Sequence, residues 1–408
     1  MKLSTDNTND SSTKYTYTID FLVPYGSHGG IESVLNDTAL SLLQQNIRVR
    51  VIQLSKSNNH WVHPDIEFYT ISQSAPFNDV TDYIPLCKQY LISLGAPDII
   101  IATPFPMLTM FIKLALLETN MTSKIISWLH APIKAYDDNA AGGPECLNYS
   151  DLVLVLSRSN YHIIHSFNPD INIKLVRNPI DIDSLHFYPH YNTKSRNLYY
   201  IGRLSSEKNV SLIINAISNA VDKWELTIIG DGNERNSLEN LTKELHLTDR
   251  IHFIGWQTRP WDYVQSPAAL VLSSDYEGFP LVCNEALASG IPVISTKVDG
   301  VVDIICNGIN GYLYNSQNEL TDILNYMALH SIPDFNPTEC RNAILPYNKP
   351  DVLNDITNTQ MVLNLPPTID KESQRTQISN KKERQAALFI IVVIIISREV
   401  KEHPDSAD

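Results

Sequence analysis

Short β-branched runs alternate with stretches of helical period along most of the chain, and this alternation restricts it to parallel sheets covered by helices on both faces. Residues 17–24 read as a strand, the Gly-Ser-His-Gly-Gly stretch at 26–30 as its turn, and residues 31–45 as an amphipathic helix. Further strands are predicted at 48–54, 98–103, 124–129, 152–156 and 173–176. Those from residue 98 onward are mostly apolar, as strands buried on both faces are. A polar, proline-containing stretch, residues 177–184, then interrupts the pattern. A second series follows, with strands predicted at 198–201, 224–229, 251–254, 269–273 and 292–296 and helices at 210–218 and 233–245. The fold class is therefore α/β, with two doubly wound units that should leave a cleft between them. Ligands of such sheets bind at the carboxyl ends of the strands.

The chain has 408 residues and a net charge of -14, from 31 Lys and Arg against 45 Asp and Glu. That balance argues against a nucleic-acid partner, whose affinity comes from neutralised phosphates, so an anionic ligand has to be held by local groups. Five cysteines, Cys87, Cys146, Cys283, Cys306 and Cys340, are far apart and form no CxxC pair. They are expected to be packed, reduced thiols of a cytoplasmic protein. Residues 1–14 are polar and lack the apolar stretch of a signal peptide. The longest apolar run, 386–396, has 11 residues. A membrane-spanning helix needs roughly 20.

Two segments carry chemistry. In residues 274–293, Glu277 lies in a loop, Pro280 suits the first turn of a helix, Gly290 suits its C′ position and Pro292 lies just beyond. The free N–H groups of Leu281 and Val282, with the positive end of the helix, make a site for a phosphate. Glu277 precedes the helix and Glu285 lies inside it, so one carboxylate can meet a sugar while the other accepts hydrogen bonds from a ribose diol. That spacing alone is weak, since two acids so placed are more often simply solvated. In residues 201–209, Gly202 allows a tight turn after a strand, and Arg203 and Lys208 can reach the cleft. Two cations there would bind a diphosphate and stabilise the charge that grows on it as it leaves.

With Ile229-Gly-Asp-Gly-Asn-Glu234 and Ile251-His-Phe-Ile-Gly-Trp256 between them, these segments resemble glycosyltransferase family 4, most densely over residues 198–313. The resemblance implies retaining enzymes of the GT-B architecture, with two facing Rossmann-like domains and an interdomain cleft. It implies that Arg203 and Lys208 hold the donor diphosphate and that Glu277 contacts the donor sugar. Gly278, Phe279, Leu281 and Val282 would line the donor beside it, Glu285 would take the ribose, and the backbone near Ile254 and Trp256 would flank the base. In the first domain it extends to Gly29 and Gly30, where the chain would pass close to the diphosphate, and to His130, which would point at the reacting sugar. Glu32 is a weaker acceptor-side candidate that can equally serve its helix N-terminus. The implied domains are 15–182 on the acceptor side, 183–345 for the nucleotide sugar and 346–365 as a helix crossing back to the first. Residues 366–408 form a tail with no counterpart.

Within that family the Gly-Trp-Gln-Thr-Arg-Pro-Trp261 stretch is similar to lipopolysaccharide core hexosyltransferases, in particular the 1,6-galactosyltransferase type. The implied reaction moves a galactose or glucose from a UDP-sugar to a saccharide or glycolipid hydroxyl, with retention. Such work would take place at the cytoplasmic face of the membrane, by peripheral contact and without a metal or other cofactor. Other readings fit less well. Gly230-Asp-Gly232 lacks the third glycine of a dinucleotide fingerprint. Asp181-Ile-Asp183 has the look of a metal-binding DxD but falls in the linker. A nucleotide-sugar-binding protein without activity, or a transferase with a different acceptor, is the alternative.

Overall fold

The computed structural model describes residues 15–357, apart from residues 27–28, 58–59, 75–81, 139–140, 191, 193 and 330–334. The predicted tail, its apolar run and the end of the predicted crossing helix lie outside the described residues. In the first half, the strands are β1 (Thr18–Val23), β2 (Arg48–Ser55), β3 (Glu67–Ser72), β4 (Ile99–Ala102), β5 (Lys124–Trp128), β6 (Leu152–Val155) and β7 (Ile173–Leu175). Between them run helices α1 (Gly30–Gln44), α2 (Tyr83–Leu94), α3 (Pro106–Thr119), α4 (Ile133–Asp138) and α5 (Arg158–Phe167). The second half contains β8 (Asn197–Ile201), β9 (Glu225–Ile229), β10 (Ile251–Gly255), β11 (Pro267–Leu272), β12 (Val293–Thr296) and β13 (Gly311–Tyr314). Its helices are α6 (Val210–Asn219), α7 (Arg235–Glu244), α8 (Leu281–Ala288), α9 (Gln317–Leu329), α10 (Pro337–Asn342) and α11 (Lys349–Thr357).

Both sheets are wholly parallel, in the orders β3-β2-β1-β4-β5-β6-β7 and β10-β9-β8-β11-β12-β13. Each reverses direction once, between β1 and β4 and between β8 and β11. These are the switch points where such sheets leave a crevice at their carboxyl ends. Central strands such as β4, β6 and β11 are buried at every position, which accounts for their unbroken apolar sequence. The edge strands β3 and β13 were not expected from the sequence. β3 is only half-buried, and β13 has four residues beginning at a glycine, so neither shows an apolar run. Helix α1 begins at Gly30 and α7 at Arg235, one residue before and two residues after the predicted starts.

The first domain also buries charge. Arg50 pairs with Asp20 (2.6 Å) and donates to the carbonyls of Leu94 and Gly95, while the Tyr90 hydroxyl donates to the same carboxylate. Every group in this knot therefore has a partner, as buried charge requires. Cys87, Cys146, Cys283 and Cys340 are buried free thiols, as expected, but Cys306 is exposed.

Two segments cross between the domains and hold each other. Ile180 N–H donates to Tyr347 O (3.0 Å), and Lys349 N–H donates back to Ile180 O (2.8 Å). Beyond that crossing, α11 lies on the first domain: Lys349 Nζ meets Asp37 Oδ1 at 2.7 Å, and Gln45 Nε2 donates to Thr357 Oγ1 at 2.6 Å. One apolar cluster joins Phe21 and Trp128 of the first sheet to Phe279 and Cys283 beside the second and to Val352 and Ile356 of α11. The DxD of the linker is used locally. Asp181 Oδ1 accepts the Ser184 N–H (3.3 Å), and Asp183 is 87% exposed, 4.0 Å from Arg341.

Candidate active site

Arg203, Lys208 and Glu277 gather around the switch point of the second sheet. Arg203 follows β8, and Lys208 ends the short 3-10 turn Ser206–Lys208, after which Asn209 adopts a left-handed conformation (φ 47°) to enter α6. Glu277 lies between β11 and α8. The two loops are fastened together, because the Asp275 N–H donates to Glu207 O and the Ser273 hydroxyl to Lys208 O, both at 2.8 Å. This fastening brings Lys208 Nζ to 2.5 Å from Glu277 Oε1, with side chains 22% and 13% exposed. The Ser274 hydroxyl donates to the same oxygen at 2.7 Å. Arg203 is exposed and has no carboxylate partner among the described residues.

The glycines that suggested a dinucleotide fingerprint have a packing role. A Cβ on Gly230 (φ 156°) would lie 1.8 Å from Gly202 O, and one on Gly232 would lie 2.2 Å from Leu204 O. The two turns that follow β8 and β9 cross at backbone contact, which fixes the loop carrying Arg203.

Helix α8 starts one residue later than expected: Pro280 is its N-cap (φ -68°, ψ 114°) and not part of its first turn. Leu281 and Val282 are thus its first two residues, with N–H groups that have no acceptor within the helix. The helix ends in a Schellman turn. Gly290 (φ 81°) donates to Leu287 O and Ile291 to Ala286 O, each at 2.9 Å. Glu285 Oε2 accepts the Trp261 indole N–H at 2.8 Å. Burial raises the Glu285 carboxyl above the usual range, against the pull of that hydrogen bond. Ile254 and Trp256, at the end of β10, are 37% and 56% exposed. The Phe279 ring is buried beside Arg177 and Tyr347 at the interdomain crossing, its centroid 5.5 Å from each.

The first domain meets these loops closely. Gly29 is the N-cap of α1, and a Cβ there would lie 3.2 Å from Glu32 Oε2 and 4.0 Å from Arg203 Nη2. On Gly30 it would lie 3.1 Å from Leu281 Cδ1, so the glycine turn abuts the start of α8. Tyr25, which the sequence did not single out, sits in the field of Arg203. Burial raises its hydroxyl pKa and the guanidinium charge opposes the rise.

His130 follows β5, with its ring 4.8 Å from Trp128 and tilted by 36°. Its Nε2 has no hydrogen-bond partner among the described residues, and burial pushes its pKa down to about 3. The imidazole is thus neutral near pH 7 and cannot act there as a charged acid. Between pH 3 and 6.5 the unfolded chain binds the proton and the folded one does not. Stability therefore rises with pH across that window, by up to about 1.4 kcal/mol per unit. Replacing His130→Gln should flatten the slope of the unfolding free energy between about pH 4 and pH 6, measured in urea. An unchanged slope would mean that the folded imidazole titrates normally. The main chain of this residue is fixed at both ends: its N–H donates to Tyr136 OH (3.1 Å), and its carbonyl faces Gly278, where a Cβ would come within 1.9 Å.

Residues 181–329 match the family model described as Glycosyl transferases group 1. The lipopolysaccharide 1,6-galactosyltransferase of Escherichia coli K12 is 27% identical over 304 residues, which cover 70% of this chain and 81% of that protein. Among solved structures, the apo form of the lipopolysaccharide outer core galactosyltransferase WaaB superposes with a TM-score of 0.69 at 23% identity, covering 85% of this chain and 99% of that one. Anabaena HepE in complex with UDP-glucose also gives 0.69, at 18% identity, over 85% of this chain and 100% of that one. At those identities the structural likeness shows the fold, which is GT-B. The chain is accordingly a glycosyltransferase, with a Glycosyl transferases group 1 domain over residues 181–329.

Proposed function

We propose that the enzyme transfers galactose or glucose from a UDP-sugar to a hydroxyl of a saccharide acceptor, with retention, in building lipopolysaccharide core or another cell-surface polysaccharide. The observation that carries the reading is the Lys208–Glu277 pair, set at the switch point of the second sheet, in the domain whose Arg203 and Leu281 meet the Gly29–Gly30 turn of the other. Arg203, Lys208 and the first turn of α8 supply positive potential for the diphosphate and for the charge that develops as it departs. Glu277 Oε1 is held by Lys208 and Ser274, which leaves Oε2 to accept a hydroxyl of the sugar. Exposed Trp256 suits the base, and Glu285 beside Trp261 suits the ribose. The acceptor oxygen would attack from the face the diphosphate leaves, and the departing phosphate oxygen would take its proton. Closing the domains excludes water and suppresses donor hydrolysis.

The galactosyltransferase name of the Escherichia coli relative supports the acceptor class, and the UDP-glucose bound to HepE supports the donor class. Among the described residues no helix is long and apolar enough to cross a membrane, and we place the enzyme at the cytoplasmic face by peripheral contact. Thermal unfolding in the presence of UDP-galactose, UDP-glucose and UDP-N-acetylglucosamine tests the donor. One of the two hexose donors is expected to raise the midpoint more than UDP does alone, since stabilisation follows occupancy of the folded site. Incubating that donor with a core oligosaccharide lacking its branch hexose should then give transfer. No shift with any UDP compound would overturn the proposal.

A further inference from the structure

We propose that Asp299 is a positioning residue that locks the donor domain onto the loop carrying His130. This inference rests on the transferase reading above. Asp299 lies in the turn after β12, and its Oδ2 accepts the Ser157 hydroxyl of the other domain at 3.2 Å, with Ser159 as a second donor. Ser157 is buried and is the N-cap of α5, so the carboxylate sits where the helix dipole favours an anion. The Ser157 oxygen in turn accepts the Asn160 N–H at 3.1 Å.

Asn160 extends the connection. Its side chain, 1% exposed with its residue, accepts the Ile133 N–H (2.8 Å) and donates to Ala131 O (2.9 Å), holding the segment that directly follows His130. The His130 carbonyl lies against Gly278, and Gly278 O lies 2.3 Å from where a Cβ on Gly300 would be. Gly300 (φ 77°) is the neighbour of Asp299. The contacts therefore close a ring: Asp299, Ser157, Asn160, Ala131, His130, Gly278, Gly300. Two of its links cross the cleft, and the loop bearing Glu277 lies on it. A second carboxylate of the same turn, Asp303, meets Arg177 of the linker at 3.4 Å, and Arg177 donates to Leu156 O at 2.9 Å. The ring is polar at one crossing and backbone contact at the other, so the hydroxyl–carboxylate link registers the His130 loop while Gly278 limits how near it comes.

Asp299→Ala should lower kcat by about 10- to 100-fold, as expected for a misplacement of about 1 Å, while donor KM stays within about 3-fold. Asp299→Asn keeps an oxygen acceptor and should recover most of the loss. Adding Ser157→Ala to Asp299→Ala should cost less than the product of the two single losses. Hydrogen exchange reads the same link without turnover: in Asp299→Ala the amides of Ile133 and Asn160 should exchange faster, with the global unfolding midpoint unchanged. Unaltered exchange at Ile133, or a loss carried wholly by donor KM, overturns the proposal. Should the unsubstituted chain show no transfer from any UDP-sugar, the transferase reading fails, and the exchange result alone decides the role of Asp299.

Discussion

Gly278→Ala is expected to lose at least about 100-fold in kcat while the protein unfolds at nearly the same urea concentration. The new methyl carbon would sit 1.9 Å from His130 O, 2.6 Å from its carbonyl carbon and 3.1 Å from Ala131 Cα. All three are backbone atoms, so no side chain can swing aside, and the strand end and the loop have to part by more than 1 Å, as van der Waals separation demands, roughly. Gly278 does not have the positive φ that would strain an alanine, so the domain itself tolerates the change. Gly300 makes the contrast, because its φ of 77° and its approach to Gly278 O tie it to its own domain's fold. Gly300→Ala should therefore destabilise the chain as well. Steady-state kinetics with urea unfolding of both variants separates the two effects. Full activity in Gly278→Ala would show that the observed approach of the two domains is not the one used in transfer.

The second large effect concerns charge. The Lys208 ammonium lies on the Glu277 carboxylate, and both are mostly buried. A diphosphate entering the site competes with that carboxylate for the same cation. Glu277→Gln keeps the shape and an acceptor for Ser274 but removes the competing charge. UDP should then bind several-fold tighter, while transfer falls by about 100-fold, because the charged acceptor for the sugar hydroxyl is lost. Lys208→Ala acts in the opposite sense on UDP. It weakens binding and also leaves the Glu277 carboxylate without its cation, a loss of roughly 3 kcal/mol for a buried pair. Titration of UDP by calorimetry beside transfer assays would read both signs. Weaker UDP binding in Glu277→Gln would sink this account of the pair.

Much of this site was legible in residues 201–209 and 274–293, because a strand, a turn and a helix N-terminus leave local marks. Gly290 at the end of α8 is one such mark, and the Schellman turn it closes has the expected form. Pro280 stands one position before the expected first turn, because its ring fixes φ (-68°) but leaves ψ free to take the extended value of an N-cap (114°). β3 and β13 escaped notice because edge strands need no continuous apolar face. The side-chain contacts across the cleft left no trace in the sequence. Ser157 and Asp299 are 142 positions apart, and nothing around either residue specifies the other. Tyr25 is an ordinary aromatic in sequence and acquires meaning only beside Arg203.

The paired crossing of Ile180 and Lys349 has a consequence for how the protein is made. The six strands of the second sheet come from one unbroken stretch, Asn197 to Tyr314, whereas the first sheet carries on its face a helix made of residues 349–357. During synthesis the second domain can therefore complete its core while its predecessor still waits. The first domain emerges earlier but stays open over α1 until the chain returns some 300 residues later. Its apolar face is the part most in need of protection on the ribosome.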